Sequence, residues 1–550
     1  MKKNIIVILS MLLIFSMFLS MAYVALIGKD KNAAKSEESQ KRESLKQDLR
    51  INISKEPSTL HPGLAADVTS GTVVLQTFEG LTRIDMWGQT VNAAAKVVKI
   101  SQDQKTYTFT LRDAKWSNGD PVVAKDFEFA WKWALNPANH SESAEKLYYI
   151  EGAEEFNKGK GSADKVGIKA LNDKTLQVKL EEPTPNFLQL TALPTYFPVN
   201  SKVAGKIPDW ANESKDYISN GAFKLVEWSH NNNIVLKKNE HYWDSNSVKL
   251  KTITMFMVDP LTEITMFDKS KLDWAGSPAG HLPKVGTELF VDAKKIISQP
   301  ITGHYIYQFN TGAVPFNNEN IRMAFALSIN RQKLIGIVGE RGLSPAMGIV
   351  PPNLFPDKNK KGYFKDDDVE DAKKYLQKGL EELGYHNASE LPPITLSVQT
   401  SDAYRNLAQA IQKMWKENLG VGVTVDHSNV GKQNGRANIF DYEVPSMEWI
   451  GYYNDPFNFL NVYLDVKQDD NGTGWENKEY KSLLKRAQTE ADQDKRLKLL
   501  KQAEGVLMDE MPVIPIYNYA NTWVQNKNLQ GVALSGLGHL QFKWAYFEED

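Results

Sequence analysis

Tyr107-Thr108-Phe109-Thr110-Leu111-Arg112, followed by Trp116-Ser117-Asn118-Gly119-Asp120-Pro121-Val122 and then Asp126-Phe127, is the stretch on which the fold turns. Tyr107, Phe109 and Leu111 recur at period two, the spacing of a strand with one buried face. Gly119 supplies turn geometry that a Cβ would hinder, and Pro121 fixes φ at a strand start. Asp126 to Leu135 then reads as an aromatic-rich helix, with Asp126 at or near its cap and Pro137 just past its end. Strand, turn and helix succeed one another within a short span, so the body mixes α and β.

The same signals alternate outward from this stretch. Leu176, Val178 and Leu180 repeat the period of two, as do Tyr305, Tyr307 and Phe309. Asp371 to Leu383 and Glu479 to Met508 carry Leu and Ala at helical spacing with Lys and Glu between them. No repeat of fixed period is evident, and no low-complexity linker cuts the body into independent halves. A chain of 550 residues with 42% hydrophobic and 24% charged residues exceeds one compact domain, so two or three lobes with several chain crossings are expected.

Composition removes several classes of function. The formal net charge of -2 and the absence of a long basic run leave no electrostatic footprint for nucleic acid. With 0 cysteines, disulfides, thiolate metal sites and S-linked lipid are excluded by stoichiometry. The 9 histidines are scattered without an H-E-x-x-H pattern, so neither a metal site nor another cofactor is expected. The acidic run Asp366 to Asp371 lacks the glycine that a calcium loop needs at its sixth position, where Asp371 stands. Carboxylates facing a helix start explain it better.

The amino terminus reads as an address or anchor. After Lys2 and Lys3, Ile5 to Ile27 form an uncharged run broken only by serines, longer than the roughly 7–15 residues of a signal core. At about 1.5 Å per residue it would cover a hydrocarbon slab of about 30 Å, with the bulk of the protein outside. Residues 1–28 are therefore expected to be a signal or transmembrane anchor. Residues 29–48, rich in Lys, Ser, Glu and Gln, should be a flexible stalk, with the folded body beginning near Leu49.

An ordered series of short motifs runs through the body: Glu56-Pro57-Ser58-Thr59-Leu60-His61-Pro62, Phe78-Glu79-Gly80-Leu81, the opening stretch, Asn220-Gly221-Ala222-Phe223-Lys224-Leu225, Tyr242-Trp243, Phe309-Asn310-Thr311, Pro315-Phe316, Ile321-Arg322 and Trp449-Ile450-Gly451-Tyr452-Tyr453-Asn454-Asp455-Pro456. Together they resemble the oligopeptide-binding protein family, the Gram-positive type of solute-binding protein family 5 that serves bacterial peptide ABC transporters. Most of these motifs are expected to be architectural.

The resemblance implies a two-lobed α/β fold of the periplasmic-binding-protein type (type II, cluster C), with an extra third domain and hinge closure. It assigns 49–79, 200–302 and 520–550 to a discontinuous lobe I, 80–199 to the extra domain II and 303–519 to lobe III. The family holds extended peptides through main-chain hydrogen bonds to two segments. Carried over, these are Glu448-Trp449-Ile450 and Asp67-Val68-Thr69, with Trp449 as a wall for a ligand side chain.

One departure stands out. The family reads approximately W-x-A-D-Y-x-[DE]-P over the last motif, and its Asp grips the ligand's amino terminus; here that place holds Tyr452. Removing one partner of a desolvated charge pair costs about 2–5 kcal/mol. Three resolutions are open: Asp455, Glu448 or Asp67 takes over; the ligand has a blocked or displaced amino terminus; or the pocket holds a different solute.

The family's lipobox cysteine is also missing, since Leu26-Ile27-Gly28 is followed by Lys29. The expected partners are an oligopeptide, the membrane through the anchor and ABC permease subunits on separate chains; a monomer at the extracytoplasmic face is expected. Catalysis has no support, because no G-x-S-x-G elbow or phosphate-cradling loop is present and the S-x-x-K tetrads at Ser143, Ser162 and Ser482 lack a companion K-T-G. A peptide-signal sensor on the same fold is the rival reading.

Overall fold

The computed structural model describes residues 47–283, 295–355, 362–398, 401–426, 444–466, 471–490 and 492–548. The expected anchor and all but the last two residues of the expected stalk lie outside them. The first strand, Asp48–Asn52, places the start of the folded body where the sequence does.

A single 11-stranded sheet is the backbone of the molecule. Its order is Thr424–Asp426, Thr395–Ser397, Val444–Ile450, Ile297–Gln308, Val513–Gln525, Trp274–Gly276, Asp48–Asn52, Thr252–Phe256, Asn233–Lys238 and Phe223–Ser229, with Ser344–Pro345 pairing onto Val513–Gln525. Its residues enter two large hydrophobic cores among the described residues, beside a small third cluster of Ile264, Ala275, Leu282 and Val524. Leu49, Phe78, Trp116, Trp131, Ile253 and Phe542 belong to one large core, and Tyr305, Phe325, Trp415, Leu484 and Ile514 to the other.

The strands Ile297–Gln308 and Val513–Gln525 pass between the cores. Trp523 is buried in the first core and Tyr517, on the same strand, in the second. Their ladder shifts register twice, between Pro300 and His304 and again between Tyr305 and Ile306.

The opening stretch folds as its pattern dictates. Thr106–Leu111 buries Tyr107, Phe109 and Leu111 and sits inside a second, 4-stranded sheet with Ala95–Ile100, Thr175–Lys179 and Ile168–Asn172. The helix Ala124–Leu135 packs on that sheet. Asp126 lies inside its first turn, where its carboxylate accepts from the Val123 N–H (3.1 Å), the Trp116 indole (3.0 Å) and the Ser201 hydroxyl (2.8 Å). Burial raises its pKa, and these donors work against the rise. Gly119 needs its freedom, with φ at +91°, whereas Gly221 is required by contact: a Cβ there would stand 2.5 Å from the Thr77 carbonyl carbon.

Other motifs lock one another in the same way. Glu79 is buried and accepts from Arg83 (3.0 Å), the Tyr242 hydroxyl (2.7 Å) and the Trp243 indole (2.5 Å), so Phe78-Glu79-Gly80-Leu81 and Tyr242-Trp243 form one buried charged knot. Arg322 donates to the carbonyls of Phe316 and Glu510. These are architectural roles.

The structure departs from the sequence reading at three places. Glu479 to Met508 is two helices, Lys478–Thr489 and Gln493–Glu510, because Asp492 caps the second by accepting from the Lys495 N–H (3.1 Å). Tyr305, Ile306 and Tyr307 are all 0% exposed, so that strand is buried on both faces and its aromatic alternation does not mark an inside and an outside. The acidic run is divided. Asp368 caps the helix Val369–Leu383, while Asp366 pairs with the buried Arg331 (2.9 Å) and Asp367 accepts from Asn330 (2.6 Å).

Candidate functional site

The strand Val444–Ile450 has an unequal pair of edges. One edge pairs antiparallel with Ile297–Gln308 from Ser446 through Ile450. The other meets Thr395–Ser397 only at Val444 and Pro445. From Ser446 to Ile450 that second edge has no strand partner among the described residues, and it presents main-chain donors and acceptors at ladder spacing.

The side chains on this strand divide by alternation. Glu448 and Ile450 are exposed, Ile450 by 42%, whereas Trp449 is half-buried against the second core. The Trp449 indole donates to Asn458 Oδ1 (3.2 Å), which fixes the ring. Behind it lies His304, its partner across the ladder, buried and hydrogen-bonded to the Ile349 carbonyl (2.5 Å). Burial lowers the pKa of His304 to about 4.

Glu448 touches solvent, yet its carboxyl is raised above the usual range. Loss of hydration is the largest cause; the Tyr404 hydroxyl bond opposes it and the Glu340 charge reinforces it. A side chain standing in a cleft can reach water at its tip while protein fills most of the volume around it, which reconciles the two observations.

Beyond Ile450 the chain turns across to the other half of the molecule. Tyr452 Oη donates to Glu145 Oε1 at 2.7 Å, a contact between residues 307 positions apart. The Lys146 ammonium stands 5.3 Å from the Tyr452 ring centre, and the Tyr452 ring lies 5.5 Å from that of Trp449. Tyr453 is buried in the first core. The Asn454 N–H donates to Gln189 Oε1 (3.0 Å), and Asn454 Oδ1 accepts from the Thr302 hydroxyl (2.6 Å). Burial lowers the pKa of Lys146, and Glu145 acts in the opposite direction. Lys146 also donates to Ser143 Oγ (3.2 Å), but Ser143 is only 1% exposed, so this S-x-x-K pair has no access for a reactant.

Asp455 faces the opposite way. Its carboxylate forms a bidentate pair with Arg496 at 2.6 and 2.9 Å, and the two side chains are 3% and 2% exposed. Asp455 also accepts from the Phe457 N–H (2.8 Å) and so builds the turn into the helix Phe457–Leu460. No open face of this carboxylate is left for a ligand amine.

The segment Asp67-Val68-Thr69 is a helix start and not a strand edge. Asp67 caps the helix Val68–Thr77, accepting from the Ser70 N–H (3.0 Å) and from the hydroxyls of Ser58 and Ser70 (2.6 Å each). Loss of hydration alone would raise its pKa; the Ser58 and Ser70 bonds and the Lys55 charge reverse that and leave it lowered. Thr69 is buried, whereas Val68 is 59% exposed at the first turn, where helix N–H groups lack intrahelical acceptors.

The structure therefore gathers Glu448, Trp449, Ile450 and Tyr452 on one strand and loop, and turns Asp455 into the core. Glu145, Lys146, Asn458 and Arg496 are the neighbours that sequence reasoning missed. Glu145 and Lys146 lie in a one-turn 3-10 helix, Ala144–Leu147, too short for any periodicity to flag them.

Comparison with known proteins fits this arrangement. Residues 60–471 match the family model described as bacterial extracellular solute-binding proteins, family 5. The chain belongs to that family of binding proteins, which are not enzymes and lie outside the cytoplasm. It is 49% identical over 546 residues to the oligopeptide-binding protein OppA of Bacillus subtilis, covering 98% of this chain and 99% of that one. It is 38% identical over 506 residues to the dipeptide-binding protein DppE of the same organism, covering 90% and 91%. Among solved structures, the unliganded open form of the murein tripeptide binding protein MppA superposes with a TM-score of 0.78 at 29% identity, covering 92% and 98%. OppA of Listeria monocytogenes bound to peptide superposes with 0.69 at 29% identity, covering 92% and 100%.

Proposed function

We infer that this protein is the oligopeptide-binding component of a peptide ABC transporter, capturing peptides outside the cytoplasm and delivering them to permease subunits on separate chains. The observation that carries the reading is the unpaired edge from Ser446 to Ile450, flanked by the fixed Trp449 ring. An extended peptide can add to such an edge as a strand, through atoms common to every peptide. The similarity to proteins named for oligopeptide and dipeptide binding, and to a peptide-bound structure, supports it.

The proposed site comprises Glu448, Trp449 and Ile450 along the strand, the helix start at the exposed Val68 and the buried Thr69 as main-chain donors, and Tyr452 at the end where a leading amine would sit. Asp67 and Asp455 act as positioning residues, one by capping and one by pairing with Arg496. Glu145, held by Tyr452, supplies the carboxylate that the motif lacks. Lys146 beside it keeps the locality close to neutral, so amine capture is weaker than at an isolated carboxylate.

Lobe closure about the crossing strands completes capture, and the apolar run in residues 1–28 tethers the protein to the cell membrane. Isothermal titration with one pentapeptide in free and N-acetylated forms tests the reading. Both forms bind, the free amine about tenfold more tightly. Absence of binding by either form defeats the peptide reading, and tighter binding of the acetylated form defeats the role given to Glu145.

A further inference from the structure

Glu504 is a carboxyl that neither the proposed peptide site nor the charged knots of the fold use. It lies on the helix Gln493–Glu510, the same helix as Arg496, and is 2% exposed. Its Oε1 accepts from the Val350 N–H at 2.8 Å, and its Oε2 accepts from the Tyr363 hydroxyl at 2.8 Å. The main chain can come this close because residue 348 is glycine: a Cβ there would stand 2.6 Å from Oε1.

The surroundings of Glu504 serve two protonation states. Tyr363 Oη stands between two acceptors, Glu504 Oε2 and the Lys501 carbonyl, the latter at 3.3 Å. A hydroxyl gives one proton and can accept another. With Glu504 ionised, Tyr363 donates to it. With Glu504 protonated, the acid O–H donates to Tyr363, and the phenol turns its own proton to the Lys501 carbonyl. Both states are hydrogen-bonded without displacement of a heavy atom, so neither leaves an orphaned polar group in the interior. Burial raises the pKa of Glu504 to about 7, against the Val350, Tyr363 and Ile349 bonds and the Lys501 charge, which favour the ionised form. Tyr480, on the facing helix Lys478–Thr489, feels the Glu504 charge, and its own hydroxyl is committed to the Leu460 carbonyl (2.6 Å).

A single peptide group joins this carboxyl to the strand with the open edge. The Val350 N–H and the Ile349 carbonyl are its two ends. The carbonyl accepts from His304 Nδ1 (2.5 Å), and His304 is the ladder partner of Trp449. Glu504 and His304, both buried, therefore grip one peptide group from opposite sides. An ionised Glu504 draws on the N–H with a full charge, which polarises the peptide group and strengthens the bond at its carbonyl; a neutral Glu504 relaxes it. His304, lowered to about 4, stays neutral while Glu504 changes state.

We propose that Glu504 is a buried protonation switch, transmitted through the Ile349–Val350 peptide group to His304 at the back of the Trp449 strand. With the proton off, His304 is held more firmly and the strand offers a firmer edge to an incoming chain. The consequence for capture rests on the peptide-binding reading above; the switch itself does not. Its linkage is opposite in sign to that of His304: a carboxyl raised from 4.5 to about 7 stabilises the folded chain below about pH 4.5 and loses that contribution as pH rises through about 7. Whole-protein stability mixes the two groups, so the test reads each singly.

Carboxyl-carbon NMR of the protein labelled at glutamate Cδ follows Glu504, assigned by the signal lost in Glu504→Gln. Proton NMR follows the His304 Nδ1 proton, assigned by the signal lost in His304→Gln. The carboxyl is expected to titrate with a midpoint of about 7, and the imidazole proton to move with the same midpoint. In Glu504→Gln that proton no longer moves over this range. Tyr363→Phe, which takes a donor from the ionised form, raises the midpoint and supplies a second variant if Glu504→Gln does not fold. Affinity for one pentapeptide, by titration calorimetry on either side of the midpoint, falls about threefold on protonation and is flat in Glu504→Gln. A carboxyl midpoint near the ordinary 4.5 overturns the switch, as does an imidazole proton that ignores Glu504. An imidazole proton that moves while affinity stays flat overturns the effect on capture. Absence of peptide binding at every pH overturns the peptide reading, and the two resonances still decide the switch.

Discussion

The two ends of the loop Tyr452 to Asp455 each reach a charged group, and they do opposite things with it. At the far end, Asp455 grips Arg496 inside the protein, both side chains almost fully excluded from water. At the near end, Tyr452 holds Glu145 at the surface of the cleft. Sequence alone offers Asp455, Glu448 and Asp67 as substitutes for the missing carboxylate, with Asp455 the candidate inside the loop itself. Burial decides otherwise: a carboxylate already saturated by a bidentate guanidinium is structural, and one held by a single phenol in the open is available.

This contrast can be broken in order of effect. Asp455→Asn leaves the Arg496 charge buried without its partner, a change that costs about 3–5 kcal/mol. Urea denaturation is expected to show that loss in full, and a stability within 1 kcal/mol of the parent, taken as roughly the scale of an exposed pair, would place Asp455 with Glu145.

Acid sharpens the same distinction from behind the strand. His304 backs Trp449 with its pKa lowered to about 4, below its ordinary value of 6.5, so the unfolded chain takes up the proton first. The stabilisation is present above about pH 6.5 and is lost as pH falls toward about 4, amounting at most to about 3 kcal/mol. Thermal denaturation between pH 7 and pH 4 (roughly the window of that shift) should show the decline, and a His304→Gln variant should reduce it without abolishing it, because burial lowers His61 and His539 to about 4 as well.

At the exposed end the effects are smaller and appear in binding. Glu145→Gln removes the charge without disturbing the fold, and the preference for a free over an acetylated peptide falls by about tenfold, equal to about 1.4 kcal/mol. Tyr452→Phe loses only the hydrogen bond that aims Glu145, worth about 0.5–1.5 kcal/mol before solvent screening. A double-mutant cycle in the titration should give a nonadditive pair. Strict additivity would mean that Tyr452 does not act through Glu145.

Much of the fold was legible because local pattern and global packing agree. The alternation at Tyr107, Phe109 and Leu111 is the alternation of burial, and the motif residues Glu79, Tyr242 and Trp243 are the ones that meet in the core. Legibility failed where a local signal had two physical readings. The spacing of Leu and Ala through Glu479 to Met508 continues across a break because both helices bury the same kind of face, and only the cap at Asp492 marks the stop. Asp67-Val68-Thr69 carries no period that assigns it to an element, and the Asp67 cap makes it a helix start.

The site was legible along one strand only. Trp449 and its neighbours follow from the motif, since a strand edge is defined by contiguous residues. Glu145 comes to Tyr452 from a distant part of the chain, and no spacing in the sequence relates the two.

The sequence by itself determined the mixed α/β body, the family and the absence of the usual carboxylate at Tyr452, because these are properties of residue identity and short-range order. Only the tertiary structure decided which carboxylate is free and which edge is open. Those depend on desolvation and on partners brought together across hundreds of residues, and such energies are set by the packed environment and not by the neighbours in the chain.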